Sequence, residues 1–320
     1  MKRVAVFVVC SLMILALSAC SGSDGDKSVK QVNVIEQNFM PRQLEYAAEK
    51  DIPIIEFDEQ NKLSSWLEKN YVDIEESPED WVYLKIQGGL SGKRFERTMD
   101  QGEYYYTGGL KDNQPDGNGI LLVYDAVTTR LTGRETYCFQ YIGSFEKGRY
   151  DGYGLLFSVP TDEDVGIYAA AAIAPDLESE EFARLYADGV NYVTYEGMFE
   201  DGKRTGEGNR FVSFTSWGAE FMVDIESEFA EGVTYSTVEI GEFKDDKEDG
   251  TIKLYIDGVI RYDGEMKKGE YSGKGKYYYS NGQLRYDGEF KQSDYHGKGT
   301  LYDENGDVIY KGNWKYGDYD

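Results

Sequence analysis

The chain has 320 residues, enough for two domains or one extended array. Its 59 acidic against 34 basic side chains leave a net charge of −25, which argues against nucleic-acid binding and against docking on anionic lipid through a basic face. With 37 glycines and 28 tyrosines but only 6 prolines, it is not a disordered Pro/Gly chain, and large rings alternating with bare backbone suit β-strands.

Lys2 and Arg3 open a basic start, an apolar run extends from Val4 to Leu17, and Ser18-Ala19-Cys20 comes next. This order predicts a signal peptide over residues 1–19. At about 14 residues the run is short of the ~20 needed to span a bilayer as a helix. Small residues ending on Cys20 resemble the lipobox of bacterial lipoproteins. That resemblance implies cleavage after Ala19, a diacylglyceryl group on the Cys20 sulfur and acylation of the new amino terminus. The implied address is the extracytoplasmic face of a bacterial cell membrane, with the lipid on Cys20 as the membrane contact. Loss of Lys2 and Arg3 with the signal takes the charge from −25 to −27. Residues 20–28 then form a flexible tether, with Ser21 to Ser28 reaching roughly 15 Å. With Cys10 in the signal and Cys20 lipidated, Cys138 stands alone, and a small buried hydrophobe is its expected role.

Residues 29–100 predict a small α+β region, either a unit of its own or a cap on the downstream array. Pro41 to Lys50 has Leu44, Ala47 and Ala48 at helical spacing. Ile52 to Phe57 reads as a short strand, with Pro53 pointing to an edge. Asn61 to Lys69 places Leu63, Trp66 and Leu67 on one helical face. Asp73 to Asp80 is an acidic loop, and Trp81 to Ile86 is a strand. Nothing in this region has a catalytic or cofactor pattern.

From residue 101 to 320 the chain repeats itself. Numbering a unit from its opening residue as place one, Tyr262 starts a template with glycine at place three (Gly264) and Met266 at five. Further glycines stand at eight (Gly269), twelve (Gly273) and fourteen (Gly275). The next unit has Tyr286, Gly288, Phe290, Gly297 and Gly299, and the last has Tyr310, Gly312, Trp314 and Gly317. Upstream, Tyr195, Gly197, Phe199, Gly202, Gly206 and Gly208 match every place, as do Tyr141, Gly143, Phe145, Gly148, Gly152 and Gly154. Tyr106, Gly108, Gly117 and Gly119 open the array, while Glu239, Gly241, Phe243 and Gly250 form a degenerate unit. Units therefore start near 106, 141, 195, 239, 262, 286 and 310.

The pattern resembles the membrane occupation and recognition nexus, or MORN, repeat over about residues 106–320. It implies a mainly β chain, an elongated single-layer meander of stacked hairpins. The residues say as much on their own. Places one, three and five share a strand face, so large, absent, large leaves a slot at the glycine where a ring from a neighbouring unit is expected to sit. Places twelve and fourteen make a second strand, and place eight lies in the loop between. Asp257-Gly258, Asn281-Gly282 and Asn305-Gly306 are hairpin signals between units. At two strands per unit, seven units span roughly 65 Å. Tyr310 to Trp314 is the last strand legible in the pattern, and Lys311 and Lys315 guard its edge.

Insertions fall near residues 125–136, 160–190 and 212–236. Val165 to Ala174 fits a strand or a buried helix, and the stretch after Pro175 a helix. Residues 211–235 fit an extended hairpin. Such insertions either carry a binding surface or cover the sheet. His296, the single histidine, lacks the partners a general base needs and reads as a surface residue. No spacing suggests zinc or a dedicated calcium loop, and no cofactor motif is present. The reading is a non-catalytic surface-anchored scaffold with a protein partner. The alternative is a cell-wall or carbohydrate binder acting through exposed tyrosines.

Overall fold

The computed structural model describes residues 33–34, 47–71, 80, 82–85, 103–125, 129, 136–159, 193–215 and 234–319. Residues 1–19, Cys20, the tether, the start of the Pro41–Lys50 segment, Asp73 to Glu79 and the middle of each insertion lie outside these residues. Among the described residues no helix is long and apolar enough to cross a membrane.

The chain runs through one sheet in sequence order. Its strands are β1 (Asn33–Val34), β2 (Val82–Lys85), β3 (Glu103–Lys111), β4 (Gln114–Tyr124), β5 (Thr136–Glu146), β6 (Arg149–Phe157), β7 (Val193–Glu200) and β8 (Lys203–Thr215). They continue as β9 (Thr234–Lys244), β10 (Lys247–Ile256), β11 (Val259–Lys267), β12 (Glu270–Tyr278), β13 (Leu284–Lys291), β14 (Asp294–Tyr302), β15 (Val308–Lys315) and β16 (Asp318–Tyr319). From β2 to β16 every strand pairs with its sequence neighbour, an open antiparallel meander, and β1 pairs parallel with β5 off that path. The array continues past Trp314, because β16 pairs Tyr319 with Trp314 and Asp318 with Lys315.

The loop around place eight is a two-residue turn. Both its residues have positive φ, as in Lys147 (49°) and Gly148 (76°), or Lys268 (56°) and Gly269 (85°). This is the type I′ geometry that matches strand twist. Each place-eight N–H then donates to the place-ten carbonyl of the unit before it: Gly148 to Pro115 and Gly269 to Glu248 at 2.8 Å, Gly317 to Tyr295 at 2.9 Å. An amide and a left-handed backbone are all the position requires, so Asp246 (φ 71°) and Ser293 (φ 68°) occupy it without glycine. The Asn-Gly connections differ. Only Gly282 and Gly306 have positive φ there, and Asn281 Oδ1 accepts from the Gln283 N–H at 2.9 Å.

The sheet is one layer, and a second layer covers part of one face. The helix α1 (Asp58–Asn70) and the residues before it lie across one face of the sheet. Acidic Asp58 and Glu59 in its first turn complement the helix dipole. Ala47, Ile52, Phe57 and Leu63 join a core with Ile120, Leu122, Tyr137, Phe139, Ile142, Tyr153, Leu155, Phe157, Val193, Phe211, Val238 and Ile240. Trp66 and Leu67 pack against that core. Residues 52–57 form no strand. Ile54 N–H donates to Ile52 O at 2.9 Å in a tight turn, and the segment is held by a side chain rather than by a ladder. Residues 47–71 thus cover a face, while β2 extends the end of the array.

Candidate functional site

One face of the sheet is built from places one, three, five, ten and fourteen. A row of Cα partners crosses it, from Gly108 through Gly119, Gly143, Gly154, Gly197, Gly208 and Gly241. After Ile252 the row resumes with Gly264, Gly275, Gly288, Gly299 and Gly312. The place-one tyrosine of the same unit lies flat across each glycine pair, which corrects the expectation of a neighbour's ring. A Cβ on Gly154 would stand 2.6 Å from Tyr141 Cε2, and one on Gly275 2.6 Å from the Tyr262 hydroxyl. Only bare backbone lets a tyrosine, whose preferred rotamers reach along its own strand, bury its whole ring there.

Each such hydroxyl donates to the carbonyl of place four. The distances are 2.8 Å for Tyr106 to Gly109, 3.0 Å for Tyr141 to Ser144 and 2.7 Å for Tyr262 to Glu265. Tyr286 reaches Glu289 at 3.0 Å and Tyr310 reaches Asn313 at 3.1 Å. The carbonyl freed by the bulge beside places three and five is therefore satisfied. Place twelve sits in that bulge, with φ of 58–61° at Gly206, Gly273 and Gly297 and 88–89° at Gly117 and Gly152. Side-chain-bearing residues avoid this region.

Place ten, which the pattern did not single out, completes the ladder. Tyr150 stacks on Tyr141 with centroids 3.9 Å apart, Tyr271 on Tyr262 at 4.0 Å and Tyr295 on Tyr286 at 3.9 Å. In the third unit Arg204 takes that place, its guanidinium 5.6 Å from the Tyr195 centroid. Place-five rings meet place-one rings edge-on, as Phe145 does Tyr141 (5.0 Å), Phe199 does Tyr195 (5.2 Å) and Phe290 does Tyr286 (5.1 Å). The same geometry joins units: Tyr141 meets Phe199, and Tyr286 meets Trp314. Recurrence nine residues after place one was the available signal. Burial pushes the Tyr141 and Tyr271 phenols well up, and Tyr286 to about 12. Tyr141, Tyr271 and Tyr286 are thus neutral packing elements.

The opposite face changes character along the sheet. Another row of Cα partners runs Thr107, Ile120, Ile142, Leu155, Glu196, Asn209, Ile240 and Lys253. It then becomes Asp263, Lys276, Asp287, Thr300 and Lys311. The apolar half is the part that residues 47–71 cover. At its centre the Asn209 amide grips the Ile55 backbone: Ile55 N–H donates to Oδ1 at 2.9 Å, and Nδ2 donates to Ile55 O at 2.8 Å. Glu196 accepts from the Tyr153 hydroxyl at 2.6 Å and from Asn209 Nδ2 at 3.3 Å. Burial raises the Glu196 carboxyl above its ordinary value, against those hydrogen bonds. The other half is an alternation of opposite charges, which favours cross-strand pairing and leaves a polar surface.

Among the described residues no group of three or more His, Cys, Asp or Glu is placed to hold a metal. Cys138 is buried, its thiol pushed well up by burial and by Asp125. His296 is half-buried rather than a surface residue, its ring 5.0 Å from that of Tyr316.

Five segments, 106–122, 141–158, 195–210, 262–284 and 286–308, match the MORN repeat model. The units opening at Glu239 and Tyr310 lie outside them. No curated protein matches the chain. The chain carries MORN repeats on an all-β meander, an arrangement typical of non-catalytic repeat proteins, and the repeats point to an interaction or scaffold role.

Proposed function

We propose that this protein is a lipoprotein anchored through Cys20 on the extracytoplasmic face of a bacterial membrane, where its MORN-repeat sheet is a non-catalytic scaffold for a protein partner. The observation that carries the scaffold reading is the division of labour between the faces. Rings and glycines of one face are consumed in internal packing, while the row from Lys253 to Lys311 is exposed or half-buried and offers alternating charge. Such a surface suits a partner of matching charge pattern, bound with orientation set by electrostatics. The anchor rests on the run Val4 to Leu17 and the Ser18-Ala19-Cys20 after it. Labelling with radioactive palmitate tests it: Cys20→Ala should lose the label, and equal labelling ends the anchor. Photo-crosslinkers at Lys276 and Asp287 should capture a discrete protein, whereas one at Ile142, beneath residues 47–71, should not. Equal capture from both places ends the assignment of the surface.

One observation favours the carbohydrate reading as a second one. A cavity of about 330 Å³ near the last strands is lined by Arg285, Ser293, Asp294, Tyr295, Trp314 and Tyr319 among others. Hydroxyl-seeking groups beside rings fit a sugar. Retention on purified peptidoglycan, abolished by Asp294→Ala, would support it, and recovery in the supernatant would dismiss it.

A further inference from the structure

Besides Asp246 at place eight, the fourth unit departs from the ring-and-glycine pattern at three further places together. Place one is Glu239, place ten is Glu248 and place fourteen is Ile252. No ring lies over its glycine, and Ile252, fully buried, fills the vacated volume, its Cδ1 3.0 Å from where a Cβ on Gly241 would stand. Two carboxylates stand where other units stack two tyrosines. Arg210 of β8 joins them, its Nη1 2.7 Å from Glu239 Oε2 and 2.9 Å from Glu248 Oε1. The carboxylate side chains are only 14% and 12% exposed.

One guanidinium cannot neutralise two buried carboxylates. With both ionised the cluster carries −1 in a poorly solvated place; with one proton shared between them it is neutral. Arg210 on β8, Glu248 on β10 and Tyr271 on β12 face Glu239, with Arg204 acting on Glu248 and Arg261 on Tyr271. Arginines and a buried tyrosine keep their charge between pH 5 and 9, so the shared proton is the only variable. Burial pushes the Glu239 carboxyl up to about 7, against Arg210. For Glu248 burial is outweighed by Arg210 and by the hydrogen bond from Glu239, and its carboxyl falls below the ordinary value.

The cluster also sits at a seam. Edge-on ring contacts link one buried group from Tyr106 to Phe243 and another from Tyr262 to Trp314. Met266 packs against both groups. We propose that Arg210, Glu239 and Glu248 form a proton-controlled joint in the sheet, closed while the two carboxylates share a proton and loosened between β8 and β11 when it leaves. The sign is fixed by linkage. A carboxyl whose folded value lies above its unfolded value contributes stability below the unfolded value, near 4.5, and that contribution is lost as pH rises through about 7.

Hydrogen exchange of the full chain at pH 5.5 and 8.5, corrected for intrinsic rates, tests this joint. Amides from Glu239 to Ile252 should lose on the order of tenfold to a hundredfold in protection at the higher pH, while those from Tyr286 to Tyr302 stay unchanged. Glu239→Gln, which keeps the shape and cannot ionise, should remove the difference. If that variant folds poorly, restoring the template with R210L/E239Y/E248Y/I252G should remove it instead. A pH response that persists in these variants, or that spreads evenly along the sheet, overturns the joint.

Discussion

Gly154→Ala puts the ring-over-glycine geometry under the most direct strain. The new Cβ would stand 2.6 Å from Tyr141 Cε2, where contact between carbons is comfortable only at about 3.5–4.0 Å. The ring therefore has to move by roughly 1 Å. It has nowhere to go, since Tyr141 is fully buried with Tyr150 stacked at 3.9 Å and Phe145 and Phe199 at 5.0 and 5.3 Å. Overpacking costs about 1–3 kcal/mol. Loss of the hydroxyl bond to Ser144 adds about 1 kcal/mol, and a disturbed ring pair adds about 0.5–1.5 kcal/mol. A total of about 2.5–5.5 kcal/mol is expected in urea unfolding monitored by tyrosine fluorescence. Gly202→Ala is the control: its Cβ meets nothing within 4 Å, so only the left-handed backbone (φ 81°) is charged to it, about 1–2 kcal/mol. Adding Tyr141→Leu to Gly154→Ala should restore part of the loss, as the Glu239 and Ile252 pairing does naturally. A Gly154→Ala cost no larger than that of Gly202→Ala would refute the reasoning.

Three further outcomes are expected. Asn209→Ala removes both bonds to the Ile55 backbone, about 2 kcal/mol together, so limited proteolysis within residues 50–58 should quicken by roughly thirtyfold while the sheet stays protected; unchanged cleavage means that apolar burial alone holds the segment. Glu196→Gln should stabilise the chain relative to the parent at pH 8 but not at pH 4. The raised carboxyl contributes stability at low pH that is lost as pH rises through its folded value, and parallel thermal melts at both pH values would contradict this. Cys138 should react with a thiol reagent only at the rate of global opening, because the thiol is buried and its ionisation suppressed; rapid labelling of the native protein would show that β5 is accessible.

The template was legible because its requirements are absolute. A left-handed bulge and a ring laid on backbone admit glycine and little else, so places twelve and fourteen recur in register. Place ten was harder to read, since it holds Tyr150, Tyr271 and Tyr295 in some units but Pro115, Arg204 and Glu248 in others: stacking on a ring accepts a cation or nothing at all. The covered face was legible in principle. Ile120, Ile142, Leu155 and Ile240 hold the places that Asp263, Lys276, Asp287 and Lys311 hold later, and only a second layer accounts for the difference. Ile52 to Phe57 misled because β-rich composition signals extension, not pairing. Pro53 cannot donate to a ladder, and the partner is an amide side chain.

The fourth unit shows why its three departures must be read as one change. Isoleucine at place fourteen under a place-one tyrosine would collide with the ring, and glycine there without a ring would leave a cavity. A lone carboxylate at place one would be a buried charge, so Arg210 must accompany it, and Glu248 adds the second carboxylate with which Glu239 shares a proton. None of the departures is tolerable alone, yet together they keep the strand register: Ile252 pairs with Gly241 on one side and Gly264 on the other, as glycine does elsewhere. The unit opening at Glu239 thus keeps the repeat's geometry while exchanging an aromatic lock for an ionic one. That exchange makes this one joint responsive to protons, where the phenols around it are not.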